Sequence, residues 1–308
     1  MFNLFLLQLV NGAQFGILLF LVAAGLTLVF GIMDFINLAH GVLYMVGGYV
    51  MAALTGSTGS FWFSLALVLP VTLGVGIVLE LLVFRHLYDR PHLDQVLATF
   101  GLVLVLSELV RIFWGSAPLS VPMPEALSGS IALVGPMRYP IYRIAVIGTG
   151  LAIAAGLWFV ITRTRIGMLL RAGAANREMV AALGVDINRL FMLVFAAGAM
   201  LAGFAGAIVA PILSVDPGMG DSILILTFVV IVIGGVGSVK GAFFAALLVG
   251  TVDTLGRMFG PILLKAVMEP AAAAQAGRTL APMLVYILMA AVLFWRPAGL
   301  FGRTATPR

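Results

Sequence analysis

Apolar segments of bilayer length recur from one end of this chain to the other, and they leave it few possible folds. They are Leu4–Phe30, Leu38–Leu54, Phe61–Phe84, Val96–Phe113, Ile141–Ile161, Leu190–Leu213, Ser222–Val236, Ala242–Phe259 and Leu280–Trp295. A helix needs about 20 residues to cross a hydrocarbon core. The segments are continuously apolar rather than alternating, so they predict helices and not the strands of a barrel. With 62% hydrophobic residues and a mean hydropathy of +1.18, the chain has more apolar surface than a soluble fold could hide. The expected fold is all-α: a polytopic membrane bundle of about 8–9 transmembrane helices, forming one domain over residues 1–308. The start, MFNLFLLQLVNGAQFG, has no basic n-region and no A-x-A-like site, so it reads as the beginning of the first span.

Charge then orients the spans. Only 9% of residues are charged, yet five arginines lie between Arg163 and Arg189, in the stretch RTRIGMLLRAGAANREMVAALGVDINR. If the spans alternate, eleven of the seventeen Lys and Arg fall on the side of this loop and of the C-terminus. The positive-inside rule places that side in the cytoplasm and the N-terminus outside. The basic residues are topology signals beside apolar spans and do not point to nucleic acid. Zero Cys excludes disulfides and Cys-ligated metal. No large soluble domain fits between the spans. The longest connections are 114–140, 162–189 and 260–279. The first, rich in Pro, Gly and Ser, predicts a loop with at most one short surface helix, and the AAAAQAG run of the last predicts another short helix.

Two spans are short, and each adjoins a polar or Gly-rich break: GIMDFINLAHG before Leu38–Leu54 and IGGVGSVKG after Ser222–Val236. Shifted by 200 positions, Leu26-Thr27-x-Val29 matches Leu226-Thr227-x-Val229, and Gly41 matches Gly241. Six spans separate the breaks, so the halves would be two parallel repeats with broken helices, a pattern of transporters. Asp34, Asn37 and His40 either line a path or sit in a turn at headgroup level. The glycines of both breaks, with Gly47 and Gly48, serve either close helix packing or a substrate site. Glu108 with Arg111 and Asp253 with Arg257 have the spacing of self-neutralising pairs on one helix face. Glu80 lies near enough to the inner interface to reach water.

Enzyme motifs fail on geometry. Gly218-Met-Gly-Asp221 and Tyr88-Asp89 resemble the two halves of an intramembrane aspartyl protease site, but the charge assignment sets the two acids a bilayer apart, where they cannot share a proton. Gly235-Val-Gly-Ser-Val-Lys240-Gly lacks the Walker spacing, and His86 and His92 in one charged loop make no metal cluster. The arginine loop is the more informative feature. Leu169 to Asn188 contains no Pro, and it carries apolar faces at Leu169, Leu170, Met179, Val180 and Leu183. Gly173 and Gly184 bound a predicted helical piece of about three turns. Such a segment lies along the membrane surface and either presents side chains to a docking protein or binds anionic lipid.

The chain resembles the permease subunits of branched-chain amino acid ABC transporters, specifically the first of the two related permeases. The residues that carry the resemblance run through nearly the whole chain. They are Gly25-Leu-Thr-Leu-Val-Phe-Gly31, Ile36-Asn-Leu-Ala-His-Gly41, Tyr44-Met-Val-Gly-Gly-Tyr49, Thr164-Arg-Ile-Gly-Met-Leu-Leu-Arg171, Asn176, Ala182-Leu-Gly-Val-Asp186, Phe204-Ala-Gly206, Ile233-Gly-Gly-Val-Gly-Ser238 and Arg296-Pro-x-Gly-Leu-Phe301. The resemblance implies an importer of Leu, Ile or Val in the bacterial inner membrane that works by alternating access. It implies a second related permease, two ATP-binding subunits that use the ATP, and a periplasmic substrate-binding protein. No cofactor bound by this chain itself and no covalent chemistry are implied. Urea and short-amide importers share the family and stand as an alternative substrate class, and an ATPase-independent channel is a further one. Arg171, Asn176, Met179, Ala182, Gly184 and Asp186 match the part of the family's coupling segment that meets the ATPase. Asn37, His40, Tyr44, Gly234 and Gly235 are the candidates for the translocation path. After His40-Gly41 many relatives carry Glu, where this chain has Val42.

Overall fold

The computed structural model describes residues 2–134 and 137–302. Every one of the nine apolar segments is a helix: α1 (Phe2–Met33), α2 (His40–Thr58), α3 (Phe61–Leu82), α4 (His92–Trp114), α5 (Ile141–Arg163), then α8 (Ile187–Val209), α9 (Met219–Gly234), α10 (Val239–Leu264) and α11 (Pro270–Trp295). Between α5 and α8 lie the two short helices α6 (Arg165–Ala175) and α7 (Arg177–Ala182). Among the described residues six helices are long and apolar enough to cross a membrane, and α11 is a seventh if its two parts, bent by 41°, are one span. The sequence predicted 8–9. The difference lies in α9, which has only 16 residues, and in α2, whose 19 residues include glycines and polar groups that dilute its hydropathy.

The connections depart from expectation in three places. Segment 114–140 forms a hairpin, with β1 (Ser130–Val134) antiparallel to β2 (Met137–Pro140), beside a 3-10 turn at Glu125–Leu127. Most of its Pro and Gly precede the strands and mask the Ile-Ala-Leu-Val run that pairs, while Gly135-Pro136 lies between the two strands. The AAAAQAG run is helical as expected, but it continues across the 41° bend into the last span: Pro270–Gly277 is the first part of α11, and it begins at a Pro, where a missing N–H costs nothing. Glu80 does not reach water: it is fully buried, paired with Arg85 at 3.4 Å and accepting from the Tyr88 hydroxyl at 3.4 Å. Arg111–Glu108 (3.5 Å) and Arg257–Asp253 (2.7 Å) form as spaced.

The chain divides into two compact units. The larger comprises Leu21–Pro124 and Ile153–Leu226. Its centre is α8, whose face of Ala196, Gly198, Ala199, Ala202, Gly203 and Gly206 is buried. Small residues let three helices approach its backbone. On α1, a Cβ at Gly25 would lie 2.7 Å from the Gly198 carbonyl oxygen. On α2, Gly47 abuts Gly203, and the Tyr44 carbonyl abuts Gly206. On α3, Thr72 fills the other side of Gly203, and a Cβ at Gly76 would come within 2.6 Å of the Ala199 Cβ. Lipid gives helices no hydrophobic reason to associate, so contact of this closeness is what holds them. The α2–α3 turn is made by Gly59, at φ 66°, and by Ser60, which accepts from the Phe63 N–H.

The smaller unit comprises residues 2–20, Glu125–Ala152 and Thr227–Gly302, the hairpin included. Here Gly12 and Gly16 of α1 bring its backbone against Gly250 and Thr251 of α10, a small-xxx-small contact. Arg143 on α5 donates to the Asn11 amide oxygen at 2.9 Å. The segment after α11 turns back on the end of α9. Leu300 N–H donates to the Ile233 carbonyl (2.8 Å) and Phe301 N–H to the Gly234 carbonyl (3.0 Å). Gly299 makes the turn at φ 79°, and the Lys240 ammonium lies 5.3 Å over the Phe301 ring. The Arg296-Pro-x-Gly-Leu-Phe301 motif thus supplies two donors to carbonyls that a helix end leaves unpaired.

Two outcomes follow. Gly203→Val drives a side chain into Thr72 of α3, forces α3 off α8 and lowers unfolding stability by about 1–3 kcal/mol, whereas Gly101→Val, whose new Cβ meets nothing within 4 Å beyond its own helix, leaves it unchanged; thermal unfolding in detergent distinguishes them. Gly299→Val places an L side chain at φ 79°, which costs about 1–2 kcal/mol before any overlap, and lowers the unfolding midpoint in the same assay.

Candidate functional site

The break between α1 and α2 gathers the polar groups that the sequence singled out. α1 ends at Met33 because Asp34 takes a left-handed conformation, φ 51°, the only non-glycine to do so among the described residues; Asp tolerates that region better than most side chains. Asn37 is fully buried, and neither its amide oxygen nor its nitrogen has a hydrogen-bond partner. His40 opens α2, with Nε2 3.1 Å from the Val22 carbonyl and Nδ1 unpartnered. Thr27 Oγ1 is buried and unpartnered as well. A buried polar group without a partner costs about 1–3 kcal/mol, so Asn37 and His40 make this break a candidate site. Tyr44 is buried one turn further along α2. Gly41 is a packing residue, since a Cβ there would meet Gly220 and Leu224 of α9. The neighbouring Val42 is buried.

Gln95 on α4 fastens the break to its surroundings. Its Oε1 accepts from the Ile36 N–H at 3.2 Å, while its Nε2 donates to the carbonyls of Leu87 (3.3 Å) and Arg90 (3.0 Å). Phe35 completes the seat, edge-on to Phe84 at 5.5 Å and to Tyr88 at 5.6 Å. Burial, and then the neighbouring Glu80 carboxylate, push the Tyr88 phenol well above its ordinary range, so it stays a donor.

The arginine loop is not one helical piece between Gly173 and Gly184. Gly173 lies inside α6, and the helix stops at Asn176, whose side chain caps α7 by accepting from the Met179 N–H at 2.9 Å. An Asn followed by a favourable first turn competes with continuation of the helix. Gly184, at φ 85°, ends α7. Asp186 caps α8 by accepting from the Arg189 N–H at 3.0 Å and pairs with the Arg189 side chain at 2.8 Å. Thr164 caps α6, and Arg171 donates to the Ile161 carbonyl. Met179, Ala182 and Leu183 are exposed, with Leu183 at 78%, while Val180 faces inward at 5%. Of the expected coupling residues, Asn176, Gly184 and Asp186 therefore shape the turns, and Met179 and Ala182 form the outward surface.

Arg177 was not singled out from the sequence, where it is one arginine among five. It donates to the Met33 carbonyl, the last residue of α1, and its guanidinium lies 5.1 Å over Phe191 of α8. Phe191 stands edge-on to Tyr88 at 5.6 Å, and Phe84 lies against Phe195 at 4.4 Å. No local spacing could have pointed to it, because Met33 is 144 positions away.

Gly234 and Gly235 belong to the smaller unit, apart from Asn37, His40 and Tyr44. α9 ends at Gly234, Gly235 follows at φ 95°, and Ser238 caps α10 by accepting from the Gly241 N–H at 3.0 Å. A Cβ on Gly234 would lie 2.5 Å from the Gly241 carbonyl carbon, so this pair is a close backbone contact. No group of three or more His, Asp or Glu side chains that could hold a metal occurs among the described residues.

Comparison with known proteins gives these features a family. Residues 8–295 match the model of the branched-chain amino acid transport system permease component. The chain is 28% identical over 311 residues to the high-affinity branched-chain amino acid transport system permease protein BraD of Pseudomonas aeruginosa, covering 97% of this chain and 96% of BraD. It is 27% identical to LivH of Escherichia coli, named likewise, over 98% of this chain and 97% of LivH. The ribose import permease protein RbsC of Escherichia coli matches at 24% over 75% of this chain and 71% of its own. No solved structure matches significantly. A match over nearly the whole chain places this protein in the permease family of branched-chain amino acid transport systems.

Proposed function

We propose that this chain is one of two related permeases of an ATP-driven importer that carries Leu, Ile or Val across the bacterial inner membrane. The full-length match to permeases of high-affinity branched-chain amino acid systems carries this reading. In it residues 1–308 act as a single transmembrane domain of eight or nine spans, with α2 and α9 counted among them. The arginine loop and the C-terminus face the cytoplasm, in keeping with the eleven basic residues assigned to that side. Two ATP-binding subunits dock on the loop, and a periplasmic binding protein delivers substrate from the other face. The chain holds no nucleotide; ATP is used by the partner subunits.

The exposed apolar side chains of Met179, Ala182 and Leu183, beside Arg171, fit a groove on a soluble partner better than they fit water. The caps at Asn176 and Asp186 and the turn at Gly184 hold that surface in shape. ATP-driven closure of the partners then displaces α6 and α7, and the permeases rock between outward and inward access. In the larger unit Asn37, His40 and Tyr44 are assigned to the path, and in the smaller unit Gly234 and Gly235 are. The unpartnered amide of Asn37 supports this assignment, because a passing ammonium or carboxylate supplies the hydrogen bonds that the protein withholds. The two breaks also share a form. Each follows a helix with a left-handed residue, Asp34 at the first and Gly235 at the second, where Gly237 is left-handed too, and then starts a new helix, which supports two parallel repeats.

Reconstitution of the chain with its partner subunits tests this directly: ATP-dependent leucine uptake into proteoliposomes is expected, and a complex that hydrolyses ATP without moving any branched-chain amino acid overturns it. Gly184→Pro asks for φ near −65° where the chain has 85°, so uptake is expected to fall by about tenfold or more at unchanged membrane level. Arg171→Glu is expected to act in the same direction; normal uptake by both would remove the coupling role.

A further inference from the structure

We propose that Arg177 is the positioning residue that ties the arginine loop to the α1–α2 break, so that displacement of α7 is passed to the segment holding Asn37 and His40. The proposal rests on the coupling function above and adds the part that transmits it. Arg177 is the first residue of α7, directly after the Asn176 cap, so its backbone moves with the loop. Its side chain ends at two places that belong to the membrane part. One is the Met33 carbonyl, among the last of α1 and left without an intrahelical partner. The negative end of a helix favours a cation there. The other is the Phe191 ring, 5.1 Å beneath the guanidinium.

From these two points the contact spreads through rigid groups. Phe191 meets Tyr88 at 5.6 Å, and Tyr88 meets Phe35 at 5.6 Å. Phe35 is fully buried and two residues from Asn37. The Ile36 N–H between them is held by Gln95. Arg177 therefore grips the break from its α1 end while the aromatic seat grips it from below. A planar guanidinium can lie flat on a ring and donate at its edge in one geometry, which a lysine ammonium cannot do. A plain topogenic charge would need neither contact.

The test uses the whole transporter, this chain with its partner subunits in proteoliposomes, and reads ATP hydrolysis and leucine uptake separately. R177M is expected to keep hydrolysis within about twofold of wild type while leucine moved per ATP falls by about tenfold. R177K is expected to restore part of that ratio, and F191L, which removes only the ring, to lower it less than R177M. A wild-type ratio in R177M overturns the proposal, and so does loss of hydrolysis and uptake together in both R177M and F191L, which is what a merely structural role predicts. A second readout needs no transport. The chain has no Cys, so Leu38→Cys and Glu178→Cys give a clean pair of spin labels, one on the break and one on α7. Their distance distribution is expected to be narrow in the wild-type background and broad with R177M; an unchanged distribution overturns the clasp. A wild-type complex that moves no leucine would count against the proposed function alone, with the label distances still deciding the fate of Arg177.

Discussion

A helix that stops leaves its last carbonyls without intrahelical partners, and where they are shut off from water the protein must supply a donor from elsewhere in the chain. That requirement organises the most informative parts of this structure. At the end of α1 the donor is the Arg177 guanidinium. At the end of α9 it is a pair of backbone N–H groups from Leu300 and Phe301. In both cases a cation also rests on an aromatic ring, Arg177 on Phe191 and Lys240 on Phe301. The two solutions differ in mobility. A backbone cap is fixed by its own turn, whereas a long side chain rooted in a short helix follows whatever moves that helix.

The second constraint is close approach. α8 can serve three neighbours only because its buried face carries Gly and Ala, and each partner helix brings a small residue or a bare carbonyl to meet it. Such interfaces have two consequences. They transmit displacement, because nothing soft lies between the backbones. They also leave the larger side chains, Phe35, Phe84, Phe195 and Tyr88, to cluster at the break, where they form a stiff seat rather than a general core.

Much of this was legible from residues alone. Each of the nine apolar runs holds one of the long helices, since lipid leaves the backbone no other way to bond itself. The pairs Glu108–Arg111 and Asp253–Arg257 followed from spacing on one helix face. What escaped was set by competition or by distance. Asn176 looked like one polar residue in a helical run, yet its side chain outbids helix continuation by capping α7. The hairpin at Ser130–Pro140 hid behind the Pro and Gly of the residues before it, which made the whole segment read as loop. Glu80 was read as near water, but its partners Arg85 and Tyr88 come from the turn that follows α3 and close over it. The contacts of Arg177 and of the final motif join residues far apart in the chain, and no periodicity encodes them.

The cap on α9 also sets an order of events during biosynthesis. Its acceptors, Ile233 and Gly234, leave the ribosome and enter the membrane well before the donors at Leu300 and Phe301 are made. Until translation has passed Phe301, the second break must hold its carbonyls against water, lipid headgroups or the insertion machinery. The smaller unit can therefore reach its final shape only after Leu300 and Phe301 have been made, and a nascent chain stalled short of Gly299 would carry an unfinished break.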